Sequence, residues 1–303
     1  MAFSESAFKG CLAGLALGDA LGAPFEGLMP PLESGVEAFF EHLPEVLRYT
    51  DDTEMAIGVA ESLAERGCLD LDHVARRFAE NFDPSRGYGP GTVSVLGMIR
   101  RGASWRDANR AVFPEGSFGN GAAMRAAPLG LFYAGSPEDL REATFAASSI
   151  THDHPLAKEG ALLIAGAVSA ILGGKNKTET LDEVSRLVGA DAYRQKLRFI
   201  KEFMGHPISP GTVIERLGHG VLAEESAPTA LYAYLKEGRN YLKCIWYCIS
   251  LGGDTDTICA MAGALSGAKV GLKGLPQEML ERLEDRDRIL SLAEELFRAA
   301  ARK

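Results

Sequence analysis

The stretch GCLAGLALGDALG, residues 10–22, combines a helical apolar pattern with glycine at every fourth position. Each glycine inside a helix costs about 1 kcal/mol relative to alanine, so a repeated glycine needs a compensating gain. A stripe without side chains lets a second helix pack backbone against backbone. A comparable small face lies in the helix that follows GGDTDT, and it consists of Ala260, Gly263, Ala264, Ser266 and Gly267. We therefore predict that these two helices are central neighbours.

The rest of the chain repeats hydrophobic residues at intervals of three and four, and it lacks long alternating β-branched runs. This pattern predicts a mainly α-helical protein. The predicted helices span residues 4–21, 53–65, 71–81, 93–101, 137–149, 155–172, 180–187, 191–203, 228–236, 241–250, 255–268 and 289–301. Only the connections 24–49 and 105–121 read as long. Because no linker, low-complexity tract or repeat divides the sequence, we expect a single domain over residues 1–303.

Composition limits the classes of function. The 303 residues are 46% apolar and carry a net charge of −9, which argues against general affinity for nucleic acid or anionic membranes. The five cysteines are odd in number and follow no zinc spacing, as in a reduced, cytoplasmic protein. The N-terminal residues do not resemble a signal peptide. The longest apolar run, 161–172, is shorter than the roughly 18 residues that span a bilayer.

Two acidic clusters each precede a predicted helix. In YTDDTEMA, residues 49–56, Thr50 or Asp51 is a good N-cap, and Glu54 suits a capping box if Asp51 is the cap. In GGDTDTI, residues 252–258, Asp254 is the candidate cap. Taken one at a time, capping explains each cluster. Together they contain more carboxylates and hydroxyls than two caps use, and buried carboxylates without compensation are costly.

If the two helix entrances meet, the four aspartates Asp51, Asp52, Asp254 and Asp256 bring a formal charge of −4, which two divalent cations would balance. The hydroxyls of Thr50 and Thr257 would add neutral oxygen ligands. Oxygen ligands without His or Cys favour Mg²⁺ or Mn²⁺, with Ca²⁺ as an alternative, over Zn²⁺. Two such ions about 4 Å apart orient a diol or phosphate and polarise a bridging water. The clusters therefore point to a hydrolase.

At this point the sequence resembles the ADP-ribosylglycohydrolase family, which contains the dinitrogenase reductase-activating glycohydrolase and the vertebrate ADP-ribosylhydrolases. Five segments carry the resemblance in the family's order. They are GCLAGLALGDALGAPFEG (10–27), YTDDTEMA (49–56), GSFGNGAAMRAAPLG (116–130), TH (151–152) before an apolar helix, and SLGGDTDTICAMAGALSGAKVG (250–271). The pair TDDT and GGDTDT is specific, whereas TH or GNG alone is weak.

The resemblance implies an all-α, compact orthogonal multi-helix bundle with a central dinuclear Mg²⁺ cleft. It also implies hydrolysis of the bond between the distal ribose C1″ of ADP-ribose and an acceptor. The implied metal ligands are Thr50, Asp51, Asp52, Asp254, Asp256 and Thr257. A carboxylate would take the proton of the attacking water or assist the leaving group. The candidates for this catalytic role are Glu26, Asp51, Asp52 and Asp256.

The resemblance also implies a substrate-binding wall. Its residues are Gly116, Ser117, Phe118, Gly119, Asn120 and His152. Backbone N–H groups of GSFGNG suit a diphosphate, and an aromatic ring suits adenine. Without the resemblance the glycine loop would be a turn and His152 a structural histidine. Arg125 is either a buried tie to an internal carboxylate, which we favour, or a phosphate contact. The loop Arg86–Pro90 resembles a substrate-side loop.

A few positions in the sequence distinguish the possible acceptor linkages and the alternative functions. GSFGNGAAMR is closer to the vertebrate branch that cleaves O-linked ADP-ribose, from serine, poly(ADP-ribose) or O-acetyl-ADP-ribose, than to the arginine-specific enzymes. Asp254-Thr255-Asp256 also resembles a haloacid-dehalogenase phosphatase motif, but Ile258 breaks that pattern. A non-catalytic ADP-ribose binder or structural member is the third alternative. We expect a monomer that acts on ADP-ribosylated protein or polymer.

Overall fold

The computed structural model describes residues 3–29 and 39–303, and these residues form α-helices joined by turns and three 3₁₀ segments. The helices are α1 (Glu5–Gly22), α2 (Asp51–Arg66), α3 (Leu71–Asn81), α4 (Pro90–Arg100), α5 (Trp105–Val112), α6 (Gly121–Met124), α7 (Ala127–Phe132), α8 (Pro137–Ser148), α9 (Pro155–Leu172), α10 (Lys177–Leu187), α11 (Asp191–Phe203), α12 (Pro210–Leu217), α13 (Ala223–Glu237), α14 (Tyr241–Leu251), α15 (Thr255–Val270), α16 (Gln277–Glu281) and α17 (Arg286–Ala300). The described ranges contain two isolated β-bridges and no strand. The all-α prediction is confirmed.

Helices α1 and α15 pack backbone to backbone along their whole length, as the glycine stripes predicted. A Cβ atom at Gly14 would lie 2.5 Å from the carbonyl oxygen of Gly263, and one at Gly22 would lie 2.5 Å from that of Thr255. A Cβ at Gly18 would overlap the carbonyl of Cys259. No side chain fits at these positions, so the glycines set the distance between the two helices.

The other helices surround this pair and share one contiguous hydrophobic core. The chain ends meet in it, because Phe8 of α1 packs edge to face on Phe297 of α17 with ring centroids 5.3 Å apart. Helix α17 also packs on α2, and α15 is covered by α13, α14 and α9. Both members of the central pair are therefore held from several sides.

Most predicted helix ends lie within three residues of those in the structure, and helices α7 and α12 were not predicted. Two other predictions were wrong for identifiable reasons. The segment 105–121 was expected to be a connection, but Trp105–Val112 forms α5, which the Ser104 side chain caps by accepting from the Asp107 N–H at 3.1 Å. Helix α13 begins at Ala223 and not at Pro228. Pro228 has no N–H for the carbonyl of Glu224, and the Lys196 ammonium donates to that carbonyl instead. Part of the expected connection 24–49, residues 30–38, lies outside the described residues.

Helix α9, Pro155–Leu172, is long and apolar enough to cross a membrane by length and composition, because its 18 residues have a mean hydropathy of 1.5. In the fold 72% of this helix is buried against other helices, as in the core helix of a globular protein. Four of the cysteines, Cys11, Cys244, Cys248 and Cys259, are likewise buried, and Cys68 is exposed.

Candidate active site

A cavity of about 260 Å³ lies where the N-terminus of α2 meets the N-terminus of α15. Its lining residues are Glu26, Asp51, Asp52, Gly87, Gly89, Pro90, Gly91, Thr92, Phe113, Ser117, Gly119, Asn120, Gly121, Met124, His152, Val221, Asp254, Asp256 and Thr257. The two acidic clusters, far apart in sequence, thus form one site because the α1–α15 packing places α15 beside the start of α2.

The N-terminus of α2 is capped by Thr50, whose Oγ1 accepts from the Asp52 N–H at 3.3 Å and donates to Asp52 Oδ2 at 3.0 Å. Asp51 and Asp52 occupy the first turn and face the cavity. Asp51 is therefore not the cap. The capping box expected for Glu54 does not form, because its carboxylate accepts from the backbone N–H of Asp83 at 3.0 Å.

The N-terminus of α15 carries three predicted site residues within four positions. Asp254 occupies the N-cap position, but its side chain does not cap the helix. It accepts a hydrogen bond from the Asn120 side chain. Asp256 Oδ1 accepts from the Thr257 N–H at 2.8 Å, and the Thr257 hydroxyl donates to Asp52 Oδ2 at 3.4 Å. This last contact joins the two clusters directly.

The carboxylates of the site destabilise one another's charge. Burial, followed by repulsion from Asp19, raises the pKa of Asp51 to about 8. Burial and repulsion from Asp256 raise the pKa of Asp52 well above its usual value. Burial and repulsion from Asp254 raise the pKa of Asp256 to about 10, and the same two causes raise the pKa of Glu26. Carboxylates this close together are stabilised in their ionised form only by a nearby positive charge.

The residues present fit divalent cations. Oxygen atoms of Glu26, Asp254 and Asp256 all lie within 4.8 Å of one another. Asp52 Oδ1 is buried and has no hydrogen-bond partner, although a buried carboxylate oxygen is normally satisfied. All the donor atoms are carboxylate or hydroxyl oxygens, which hard cations such as Mg²⁺ and Mn²⁺ prefer. Glu26 is exposed, whereas the aspartates on α15 are buried, so Glu26 stands at the entrance.

Glu54 anchors the loop that walls one side of the cavity. Besides its bond to the Asp83 N–H, its carboxylate accepts from the Tyr88 hydroxyl at 2.5 Å. Arg86 in the same loop donates to the Tyr49 carbonyl at 2.8 Å and to the Glu284 carboxylate at 2.6 Å. The loop therefore is fixed at both ends, and its glycines, Gly87 and Gly89, present backbone to the cavity.

On the opposite side, the structure brings Ser117, Gly119 and Asn120 to the cavity but leaves Gly116 and Phe118 out of its lining. Phe118 is 51% exposed as a residue, and its ring packs edge to face on His154. The Asn120 N–H donates to the Val221 carbonyl at 3.0 Å, so it is not free to bind a diphosphate. Its side chain binds Asp254 and Ser226, which makes Asn120 part of the acidic site.

His152 lines the cavity, and its ring packs against Gly119 and Gly121. Its Nδ1 is 2.7 Å from the Thr151 hydroxyl. Burial, and then the charge of Arg125, lower the pKa of His152 to about 3. The imidazole is therefore neutral at physiological pH, and it forms part of the cavity wall.

Arg125 is structural, but not in the way the sequence suggested. Its fully buried guanidinium donates to the Gly121 carbonyl at 2.8 Å and to the Thr151 hydroxyl at 2.9 Å, and it lies over the Phe78 ring. Within residues 3–29 and 39–303 no carboxylate forms an ion pair with it, so the expected internal carboxylate tie was wrong. Burial lowers its pKa to about 9.

Several residues of the site were not predicted. Asp19 of α1 is fully buried beneath the start of α2, and Phe113, Met124 and Val221 are apolar parts of the cavity wall. The wall residues carry no local sequence signal. Asp19 does carry one, because it is the only charged residue in the apolar stretch 10–22.

The chain is similar over nearly its whole length to known proteins of one family. The model of the ADP-ribosylglycohydrolase family matches residues 2–303. The chain is 35% identical to the ADP-ribosylhydrolase ARH3 of Xenopus tropicalis, with 91% of this chain and 90% of that protein covered. It is 34% identical to ADP-ribosylhydrolase ARH3 of Homo sapiens, with 97% and 94% covered.

Two further relatives extend the comparison. The ADP-ribosyl-[dinitrogen reductase] glycohydrolase of Rhodospirillum rubrum is 30% identical, with 91% of this chain and 89% of that protein covered. A solved structure titled ADP-ribosylglycohydrolase-related protein complex superposes with a TM-score of 0.70 at 28% identity, and 98% of each chain is covered.

Proposed function

The chain belongs to the ADP-ribosylglycohydrolase family and is an ADP-ribosyl hydrolase, and we propose that it hydrolyses the C1″ glycosidic bond of O-linked ADP-ribose with two Mg²⁺ ions. The observation that carries the proposal is the meeting of two acidic helix N-termini at one cavity, which is lined by Asp51 and Asp52 from the first and by Asp254, Asp256 and Thr257 from the second. Mn²⁺ is the expected substitute, because it shares the preference of Mg²⁺ for oxygen ligands.

The donor set for the ions comprises Thr50, Asp51, Asp52, Asp254, Asp256 and Thr257. When bound, the ions would neutralise these carboxylates and supply Lewis-acid chemistry to the ribose hydroxyls and the attacking water. Glu26 is the exposed carboxylate of the group, and it is the proton acceptor we favour over the aspartates. The Gly87–Gly89 loop and the wall of Ser117, Gly119 and neutral His152 position the rest of the ADP-ribose.

The metal requirement is tested by replacing one carboxylate from each cluster. Asp51→Asn and Asp256→Asn should each reduce ADP-ribose release by at least about 100-fold, since each loses an anionic ligand. Free ADP-ribose is measured by chromatography in Mg²⁺, in Mn²⁺ and in EDTA. Circular dichroism spectra should stay those of the wild type. Asp287→Asn, at a side chain that is 86% exposed, is the matched control and should be fully active.

Normal activity of Asp51→Asn or of the EDTA-treated wild type would overturn the metal-dependent mechanism. If no acceptor linkage releases ADP-ribose while the protein still binds ADP-ribose, the chain is the non-catalytic binder. Phosphate released from a simple phosphoester would instead support the phosphohydrolase.

The O-linked acceptor is supported by two comparisons. The chain is 34–35% identical to the proteins named ARH3 and 30% identical to the dinitrogen reductase glycohydrolase. The GSFGNGAAMR segment at residues 116–125 is likewise closer to the vertebrate branch that cleaves O-linked ADP-ribose. One preparation assayed on serine-linked, arginine-linked, polymeric and O-acetyl substrates decides the question. Cleavage of the arginine linkage alone would overturn the proposed acceptor.

A further inference from the structure

Asp19 is a buried carboxylate outside the set of proposed ligands. It lies in α1, is fully buried, and points at the first turn of α2. Both of its oxygens are 3.0 Å from the Thr50 N–H, and Oδ2 also accepts from the Thr53 N–H at 3.1 Å and the Thr53 hydroxyl at 2.5 Å. All of these partners are neutral groups, although a buried carboxylate is costly without a cation.

These hydrogen bonds bracket the acidic pair. Thr50 precedes Asp51 and Asp52, and Thr53 follows them, so Asp19 holds the turn from both sides. The aspartates themselves have no hydrogen bond to Asp19 among the described contacts, and their carboxylates are left to face the cavity. The hydrogen bonds from Thr50 and Thr53 to Asp19 therefore fix the backbone that orients the two proposed ligands, Asp51 and Asp52.

The same helix also holds the second acidic cluster. Three residues after Asp19, the Gly22 carbonyl accepts from the Thr255 hydroxyl at 2.9 Å, and Gly22 lies against the Thr255 backbone. Thr255 stands between Asp254 and Asp256 in the sequence. One turn of α1 thus contacts the backbone of both clusters, and it sets their separation.

The negative charge of Asp19 adds to the need of the acidic cluster for a cation. This charge lies near those of Asp51 and Asp52, because the Asp19 oxygens contact the Thr50 and Thr53 N–H groups on either side of them. Repulsion between these charges is unfavourable while the cavity holds no cation, and the attraction of the carboxylates to a bound cation would offset it. Groups that hold ligands in place typically change metal affinity by about 10–100-fold when they are removed.

We propose that Asp19 is a positioning residue that holds residues 50–52 in the arrangement that receives divalent cations, without itself touching a cation. This role rests on the metal centre of the proposed function. It differs from a purely structural role in one respect: its loss should change metal affinity in protein that is still folded.

The test is Mn²⁺ binding by isothermal titration calorimetry, with thermal unfolding in EDTA measured in parallel. In Asp19→Asn the amide oxygen can still accept from Thr53 and Thr50, but the NH₂ group that replaces the other oxygen then faces the Thr50 N–H. We expect Mn²⁺ affinity to fall about 10–100-fold. We also expect ADP-ribose release to recover as Mn²⁺ is raised, because Asp19 is not a ligand, whereas Asp51→Asn should not recover.

Thr53→Val provides a milder change, since it removes the hydroxyl donor and keeps the N–H donor. Its Mn²⁺ affinity should fall by a smaller factor. Ser266→Ala is the matched control, because it removes a fully buried hydroxyl from α15 that donates to the Gly238 carbonyl, away from the cavity. This control should bind Mn²⁺ like the wild type.

Wild-type Mn²⁺ affinity in folded Asp19→Asn would overturn the proposal, as would unchanged affinity in Thr53→Val if Asp19→Asn does not fold. Weaker binding in either variant upholds it. A wild-type protein that binds Mn²⁺ but releases no ADP-ribose contradicts the proposed function and leaves the Asp19 role standing. A wild-type protein that binds no divalent cation overturns both.

Discussion

At the scale of single residues, each side chain of the motif TDDTE, residues 50–54, has a different structural role. Thr50 caps α2, Asp51 and Asp52 face the cavity, and Thr53 holds the turn against α1. Glu54 points the other way and anchors the loop that forms the facing wall. Each side chain of the motif therefore has its own contact, and the density of acidic residues reflects several functions in one helical turn.

His152 gives a prediction at this scale. Its pKa is about 3 in the folded protein and about 6.5 in an unfolded chain, so below about pH 6.5 protons bind the unfolded state preferentially. This histidine should lower the free energy of unfolding as pH falls from about 6.5 toward 3. The slope for one proton is about 1.4 kcal/mol per pH unit. Urea unfolding in EDTA at pH 7, 6 and 5 measures it.

His152→Asn removes this titration, so the loss of stability on acidification should be smaller in the variant than in the wild type. His206→Asn, at an exposed histidine, is the control and should follow the wild type. Parallel pH dependences for wild type and His152→Asn would show that the imidazole is not held neutral.

At the scale of helices, the α1–α15 contact predicts opposite effects for two similar substitutions. Gly18→Ala places a Cβ against the Cys259 carbonyl, which is backbone and does not move aside. Overpacking of this kind costs about 1–3 kcal/mol or more. In α4, a Cβ at Gly97 meets only the tip of the flexible Arg101 side chain at 3.4 Å. Gly97→Ala should therefore stabilise the protein by about 0.5–1 kcal/mol through helix propensity.

Thermal and urea unfolding of both variants measure the difference. If Gly18→Ala were as stable as Gly97→Ala, the central pair would have room for side chains and the glycine stripe would need another explanation.

The same scale shows what the sequence could predict. The α1–α15 pairing was predictable because four-residue glycine spacing has few other physical causes. Helix α5 was missed because its eight residues are a short amphipathic segment, and such helices are stabilised mainly by packing. Pro228 was read as a helix start because proline favours the first turn. The Glu224 carbonyl, which Pro228 leaves without a helical donor, accepts from the Lys196 ammonium of another helix, and no local pattern predicts that contact.

At the scale of the molecule, the site depends on contacts between distant parts of the chain. The acidic clusters were predictable as a pair because their combined charge suits two cations. The hydrogen bond from the Asn120 amide to Asp254 and those from Thr50 and Thr53 to Asp19 were not predictable, since the partners are far apart in the sequence. Phe118 was predicted at the cavity because the resemblance implies an aromatic ring that stacks on adenine, but in the structure the Phe118 ring packs on His154 and not in the cavity lining.

The core joins the two ends of the chain, because α1 packs on both α15 and α17 and Tyr49 donates to Asp285 at 2.9 Å. The single-domain expectation therefore predicts one cooperative unfolding transition. The two tryptophans report on different regions, Trp105 on α5 and Trp246 on α14. Trp105→Phe and Trp246→Phe each leave one reporter.

In both variants the urea midpoint by fluorescence should coincide with the midpoint by far-UV circular dichroism of the same protein. A difference in stability between the two variants does not affect this comparison, because both midpoints are measured on the same variant. Mg²⁺ at about 100 times its dissociation constant should stabilise the whole transition by about 2.7 kcal/mol, since both halves of the site must be folded to bind it. A fluorescence midpoint that departs from the dichroism midpoint, or a Mg²⁺ shift seen by only one tryptophan, would mean that the chain unfolds as more than one unit.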